Sequence, residues 1–255
     1  MLRIRSQFQA LPESASLKRL GEASVGTFGA TLKMISWNMF KARRAGCMPD
    51  LTTLTAGVEL ALLQEAVLHG GLAHPFHLTS GLEWIMAENL GTAQQAITTG
   101  PKTGSRVAAL SSQAIRSHDR EPFIGTPKTF LLTTYPFCGQ HLLVLNVHAI
   151  NLVSTAKFAR QVEQMVTPVA AHKGPCIVAG DFNTWNTARW HILLKSMHDV
   201  GLTRVLAAAP QWRHFNQVLD HVFFRGLKLL NARPLTHVKS SDHVPLWAEF
   251  GPDSA

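Results

Sequence analysis

The chain has 255 residues, 46% of them hydrophobic and 16% charged, with a formal charge of +8. It is too apolar for a disordered chain and long enough to bury a two-sided core without disulfides or structural metals. No run approaches the roughly 18 apolar residues of a membrane span. The positive charge suits a phosphate polymer or an anionic membrane, and it equally suits a solubilising surface.

Residues 1–30 read as a poorly patterned lead-in with Pro12, Ser14, Ser16, Gly21, Ser24, Gly26 and Gly29. Glu13, Lys18 and Arg19 interrupt it before any apolar signal region can form, so a soluble cytoplasmic protein is expected; a non-Sec export signal would escape this test. Cys47, Cys138 and Cys176 are odd in number and outside any Cys-x-x-Cys spacing, which argues against a disulfide framework and places Cys176 in the core. Residues 31–255 form the main domain, with neither repeats nor low-complexity tracts.

Within that domain, strands are expected over residues 33–39, 59–63, 106–111, 129–134, 141–148, 176–179, 218–224, 228–234 and 244–250. One helix is expected over 155–171, where Phe158, Val162, Met165, Val166 and Val169 recur at helical spacing before Lys173-Gly174-Pro175 stops it. A second is expected over 187–198, carrying Ile192, Leu193 and Leu194. Three strands and no helix between 106 and 148 do not suit a doubly wound parallel sheet. They suit two mixed β-sheets packed face to face and flanked by helices, an α/β four-layer sandwich.

Polar residues cluster where the apolar runs end, the place where a rigid scaffold can present them to solvent. Asn38 closes Met34-Ile35-Ser36-Trp37, and alone it reads as a turn residue. Glu65 closes Leu60-Ala61-Leu62-Leu63-Gln64, either as a structural ion-pair partner or as a ligand for a hard cation. Asn146 and His148 share one face of their strand by its period of two. In Ala179-Gly180-Asp181-Phe182-Asn183, Gly180 permits a sharp turn, after which Asp181 and Asn183 can converge as a carboxylate base beside an amide donor. An Asx-turn explains Asn183 equally well, but not the whole string. Asp220-His221 and Asp242-His243 are two Asp-His pairs of the kind that fixes an imidazole in one tautomer.

The ordered set Trp37-Asn38, Leu63-Gln64-Glu65, Asn146-x-His148, Gly180-Asp181-Phe182-Asn183, Leu219-Asp220-His221 and Ser241-Asp242-His243 resembles the endonuclease/exonuclease/phosphatase (DNase I-like) superfamily over residues 33–250. Asn146-Val147-His148-Ala149-Ile150-Asn151 with Phe223-Phe224-Arg225-Gly226 looks like a bacterial branch whose members are mostly uncharacterised. The resemblance implies a DNase I-like fold and a hydrolase in which Glu65, Asn38 and Asp242 hold Mg²⁺ or Mn²⁺. It makes Asp181 the water-orienting base, Asn183 a phosphate donor, His243 oriented by Asp220 the stabiliser of the phosphorane or the acid, and His148 a phosphate contact. The Tyr and the Pro-Asn pair of the abasic-site endonucleases are missing, since the only tyrosine is Tyr135. His221 has no role in this scheme.

The expected activity is hydrolysis of DNA or RNA. Lys41, Arg43, Arg44, Asn146, Asn151 and Trp185 are candidate substrate contacts, although each also suits a solvated loop or cleft wall. A sphingomyelinase or phosphoinositide phosphatase is the first rival, with Phe76, Leu78, Leu82 and Trp84 as the nearest thing to a lipid-contact loop. A catalytically silent binding module is the second. His69, His74 and His77 read as a solvated loop rather than a metal site. The oligomeric state cannot be read from the sequence.

Overall fold

The computed structural model describes residues 9–10, 17–69, 77–78, 80–92, 97–122, 125–206 and 218–253. Among these, two mixed sheets stack face to face. The first contains β1 (Gln9–Ala10), β2 (Leu17–Leu20), β3 (Leu32–Asn38), β4 (Leu60–His69), β5 (Glu83–Ala87), β6 (Leu90–Thr92), β7 (Ile97–Ser105), β14 (Leu227–Pro234) and β15 (Leu246–Pro252). The second, in spatial order, contains β12 (Thr203–Arg204), β13 (Asp220–Arg225), β11 (Cys176–Asp181), β10 (Gln140–His148), β9 (Pro127–Phe137) and β8 (Ser111–Arg120). Each sheet has one parallel pair at its centre, β3 with β4 and β10 with β11. Strands buried on both faces need near-continuous apolar runs, which these four sequences supply.

Alternation along the strands then sorts side chains into three apolar layers. Met34, Leu60, Leu62, Val144, Ile177, Ala179, Val222 and Phe250 meet between the sheets. Ile35, Trp37, Ala61 and Leu63 face outward onto α1 (Cys47–Ala56), which contributes Cys47 and Leu51. Leu145, Val147, Cys176 and Val178 face outward onto α2 (Thr155–Ala171) and α3 (Thr187–Asp199). Helix α2 buries Phe158, Val162, Met165 and Val169, and Ser154 caps it by accepting from the Lys157 amide. Burying each such side chain contributes about 1.5–3 kcal/mol. The free thiols of Cys47 and Cys176 are buried, and that of Cys138 is exposed.

The expected strand over 106–111 is a correction. Residues 106–110 connect β7 to β8, and the Arg106 guanidinium holds the crossing by donating to Val58 O at 3.0 Å and Ala56 O at 3.1 Å. β7 itself contains Gly100, Pro101 and Gly104, which resemble turn chemistry. Those glycines are required by close packing: a Cβ at Gly100 would lie 1.9 Å from Ala87 O, and one at Gly104 would lie 2.5 Å from the Trp84 ring. Within the described part of the lead-in, β2 pairs with β5 and Arg19 reaches Glu83 at 2.7 Å. No helix among the described residues is long and apolar enough to cross a membrane.

Candidate active site

The catalytic candidates gather at one end of the sandwich because strand directions bring them there. His148, Asp181 and Asp220 stand opposite one another across β10, β11 and β13, one row of register. Asn38 and Gln64 end the parallel pair of the other sheet in the same way. Gly180 lets β10 and β11 approach at this end: its φ is 146°, and a Cβ there would lie 1.9 Å from Val147 O.

Glu65 is aimed by a β-bulge. The register of β4 on β7 shifts between Leu63 and Ala66, and Glu65 takes φ 49°. Its carboxylate Oε2 accepts from Lys41 Nζ at 2.6 Å, and Oε1 lies 4.0 Å from His148 Nε2. Lys41 reaches it from a turn in which Phe40, Lys41 and Ala42 all have positive φ. Burial alone would raise the Glu65 pKa, but the charges of Lys41, Lys128 and His243 outweigh it and hold the group below the usual carboxylate range.

Asp181 is the hub. Its Oδ2 accepts from Asn38 Nδ2 at 3.0 Å and lies 3.8 Å from both His148 Nε2 and His243 Nε2. Oδ1 accepts from the Asn183 amide at 2.9 Å, so the Asx-turn is present together with the convergence of polar groups. The Asn183 side chain donates to Ala149 O at 2.9 Å. His243 Nδ1 bonds Asp220 Oδ2 at 2.7 Å. Burial opposes the charge on His243, but Asp220, Asp181 and Asp242 override it and carry its pKa up to about 10. His148 goes the other way: burial and then Lys128 push it well below 6.5. The two imidazoles that flank this carboxylate are therefore pushed in opposite directions.

The loop carrying Asp242 and His243 is tied down from several sides. Ser241 Oγ donates to Asn38 O at 2.6 Å, Trp37 Nε1 donates to His243 O at 3.2 Å, and Arg44 donates to Ser241 O. Ser240 Oγ donates to Asp50 of α1 at 2.6 Å. Arg44 therefore braces the loop, and Arg43 lies exposed over the Phe40 ring at 5.5 Å. Of the three expected basic contacts, Lys41 alone meets a carboxylate of the candidate site, that of Glu65.

Asn146 requires a correction. It is fully buried between the sheets, accepting from Gln64 Nε2 at 2.8 Å and donating to Leu63 O and Lys102 O at 3.1 Å each. It binds one sheet to the other beneath the site, and substrate cannot reach it. Asn151 and Trp185 remain at the rim, joined by Trp185 Nε1 to Asn151 Oδ1 at 3.1 Å. His221 has a structural role: it stacks on Trp190 at 4.9 Å and contacts Thr184 Oγ1 at 2.9 Å, bracing the strand end beyond Asp181. The reading of a solvated histidine loop fails at His77, which is buried with Nε2 3.1 Å from Lys102 Nζ. The side chains of His69 and His74 lie outside the described residues, as does Phe76. Leu78 is exposed, but Leu82 and Trp84 belong to the core, which removes two of the four residues of the suggested lipid-contact loop.

The sequence reading missed Lys128, Glu121 and Arg189. Arg189 is fully buried and donates to Ile150 O and Asn183 O at 3.1 Å and to Val153 O at 2.9 Å, fixing the two loops that follow β10 and β11.

The donor set suits a hard cation. Glu65 offers an ionised oxygen at the cleft and Asn38 an amide oxygen, while the loop of Asp242 is tied to the Asn38 backbone. Among the described residues, no three His, Cys, Asp or Glu side chains form a ready cage. Mg²⁺ does not need one, since one or two carboxylates with water and substrate oxygens suffice.

The model of the endonuclease/exonuclease/phosphatase family matches residues 35–243. The chain belongs to this family. UPF0294 protein VV2535 of Vibrio vulnificus is 34% identical over 225 residues, covering 86% of this chain and 76% of that protein. Among solved structures, an endonuclease/exonuclease/phosphatase from Beutenbergia cavernae superposes with a TM-score of 0.68 at 15% identity, over 89% of this chain and 73% of that one. Sphingomyelinase C from Streptomyces griseocarneus has a TM-score of 0.59 at 15% identity, over 88% of this chain and all of that one. Identities this low speak for the DNase I-like fold alone, and family membership supports a phosphoesterase kind of hydrolase.

Proposed function

We propose that the chain is a divalent-metal-dependent phosphodiesterase that hydrolyses DNA or RNA. The observation that carries this reading is Asp181 Oδ2 held 3.8 Å from two imidazole nitrogens. In this reading Asp181 orients the attacking water and takes its proton, with Asn38 and the Asn183 amide fixing the carboxylate plane. His243, kept cationic by Asp220, offers Nε2–H to the phosphorane or to the departing oxygen. Asn183 steadies the phosphate, and Asn151 and Trp185 line its approach.

Glu65, with Asn38 and Asp242, would hold Mg²⁺ or Mn²⁺, and a bound cation would neutralise charge on the non-bridging oxygens. Nucleic acid is favoured over lipid by the charge of +8 and by the burial of Leu82 and Trp84. The test is a parallel panel of plasmid DNA, RNA, sphingomyelin and phosphoinositides, with and without EDTA. EDTA-sensitive cleavage of nucleic acid is the expected result. Cleavage of lipid alone would overturn the choice of substrate, and inertness toward the whole panel and a bis-aryl phosphate would overturn the activity.

A further inference from the structure

Lys128 stands at the mouth of β9 on the His148 side of the cleft. Its amide donates to Ser117 Oγ at 2.9 Å, which pins the backbone at the start of the strand. Its side chain is 13% exposed and its Nζ lies 3.3 Å from His148 Nε2 and 3.4 Å from Glu121 Oε1. His148 Nε2 in turn lies 3.8 Å from Asp181 and 4.0 Å from Glu65. The ammonium is thus one side chain removed from both carboxylates of the proposed reaction.

Donor chemistry decides between the two neighbours. An ammonium only donates hydrogen bonds, so a bond from Lys128 to His148 makes Nε2 an acceptor and leaves the imidazole proton on Nδ1. In that tautomer His148 cannot offer Nε2–H to a phosphate oxygen. A phosphate oxygen arriving on that side meets Lys128 as the donor.

The ammonium also has capacity to spare. It carries three protons, and its separation from Glu121 exceeds the roughly 2.7–2.9 Å of a tight charge-assisted pair. Lys41, by contrast, closes on Glu65 at 2.6 Å. Glu121 is shared as well, because its Oε1 accepts from the Asn151 amide at 2.9 Å. A lysine needed only to neutralise Glu121 would gain from a shorter contact.

We propose that Lys128 is a catalytic residue of this chain, donating to a non-bridging oxygen of the phosphoryl group under attack, with Glu121 as the positioning residue that holds it beside His148. This rests on the phosphodiesterase reading above and changes the assignment on its His148 side. His148 becomes the acceptor that aims the lysine, and the lysine becomes the phosphate contact.

The experiment compares wild type with Lys128→Met, Lys128→Arg and Glu121→Gln. It measures hydrolysis of bis(4-nitrophenyl) phosphate with Mn²⁺, inorganic phosphate affinity by calorimetry, and thermal midpoint. Lys128→Met should lower kcat about a hundredfold with little change in KM and weaken phosphate about tenfold. Lys128→Arg should restore most of both, because the charge and donor return. Glu121→Gln should raise KM more than it lowers kcat.

If wild type is active and Lys128→Met keeps kcat within about threefold, Lys128 is no phosphate ligand; the proposal falls and the phosphodiesterase reading stands. If wild type is inert toward this ester and toward the substrate panel above, that reading falls and calorimetry decides the lysine: unchanged phosphate affinity in Lys128→Met overturns the proposal, and a tenfold loss upholds it. Should Lys128→Met fail to fold, Lys128→Arg decides by the same two measurements. Near-wild-type kcat and phosphate affinity uphold the proposal, and loss of both overturns it.

Discussion

The two ends of the sandwich are built by different rules. At the end that carries the candidate site, Phe40, Lys41, Ala42, Glu65, Leu152 and Asn183 all hold positive φ without being glycine. At the other end, Cys138 alone of the described non-glycine residues does so, at φ 47°, followed by Gly139 in the β9–β10 turn, and Gly226 makes the β13–β14 turn at φ 63°. Left-handed backbone at a residue with a Cβ costs about 1–3 kcal/mol and persists only where surroundings enforce it. Charge follows the same division. Arg225, at the far end, is satisfied by Val200 O, Val169 O and His172 O, whereas the cleft crowds Glu65, Asp181, Asp220, Lys41, Lys128 and two histidines together. One end is optimised for closure and the other for chemistry.

Mutations can break this contrast. Asp181→Ala and His243→Ala should each lower hydrolysis by about a thousandfold or more while the thermal midpoint stays high. Loss of folding instead would mean that the cluster is structural. Asp220→Asn should cost about a hundredfold and should also move the alkaline limb of the rate profile. His243 is raised by its carboxylate neighbours, so its cation, and the stability that it contributes, is fully present below about 6.5 and is lost as pH rises through about 10. Removing the Asp220 charge should bring that limb to lower pH, and an unmoved limb would show that His243 is not the titrating acid.

A smaller effect is expected at Lys41. Its ammonium neutralises the carboxylate proposed to hold the cation, so Lys41→Met should tighten Mg²⁺ binding by up to about tenfold, read by calorimetry. Unchanged affinity would show that the lysine leaves freely. Lys173→Ala at the far end should leave rate and metal affinity unchanged. A rate loss there would mean that the two ends communicate.

Much of the candidate site was legible because polar residues concentrate at strand ends. Asn38, Glu65, His148, Asp181, Asn183 and Asp220 each interrupt or follow an apolar run, and His243 stands just before one. Lys128 was not legible, since Pro127-Lys128-Thr129 looks like an ordinary polar strand start, and its meaning comes from Glu121 and His148 arriving from other segments. Arg189 was hidden in a helix pattern where an arginine normally signals the wet face. Asn146 misled in the opposite direction, because its period placed it correctly but could not say that the other sheet lay over it. Among the elements that the sequence did not mark, two were hidden for local reasons. β7 is glycine-rich because Trp84 and Ala87 press on it, and α1 is rich in threonine with Pro49 in its first turn, where a missing amide costs nothing.

The central position of β3 has a consequence for synthesis. One edge pairs with β4, the next strand along the chain, but the other pairs with β15, whose first residue is Leu246. A nascent chain therefore carries an open edge on β3 until β15 emerges. Asp242 and His243 arrive with that same segment. The strand that seals the fold and the residues that complete the candidate site are delivered together, so a partly made molecule is exposed to aggregation and also lacks part of the proposed chemistry.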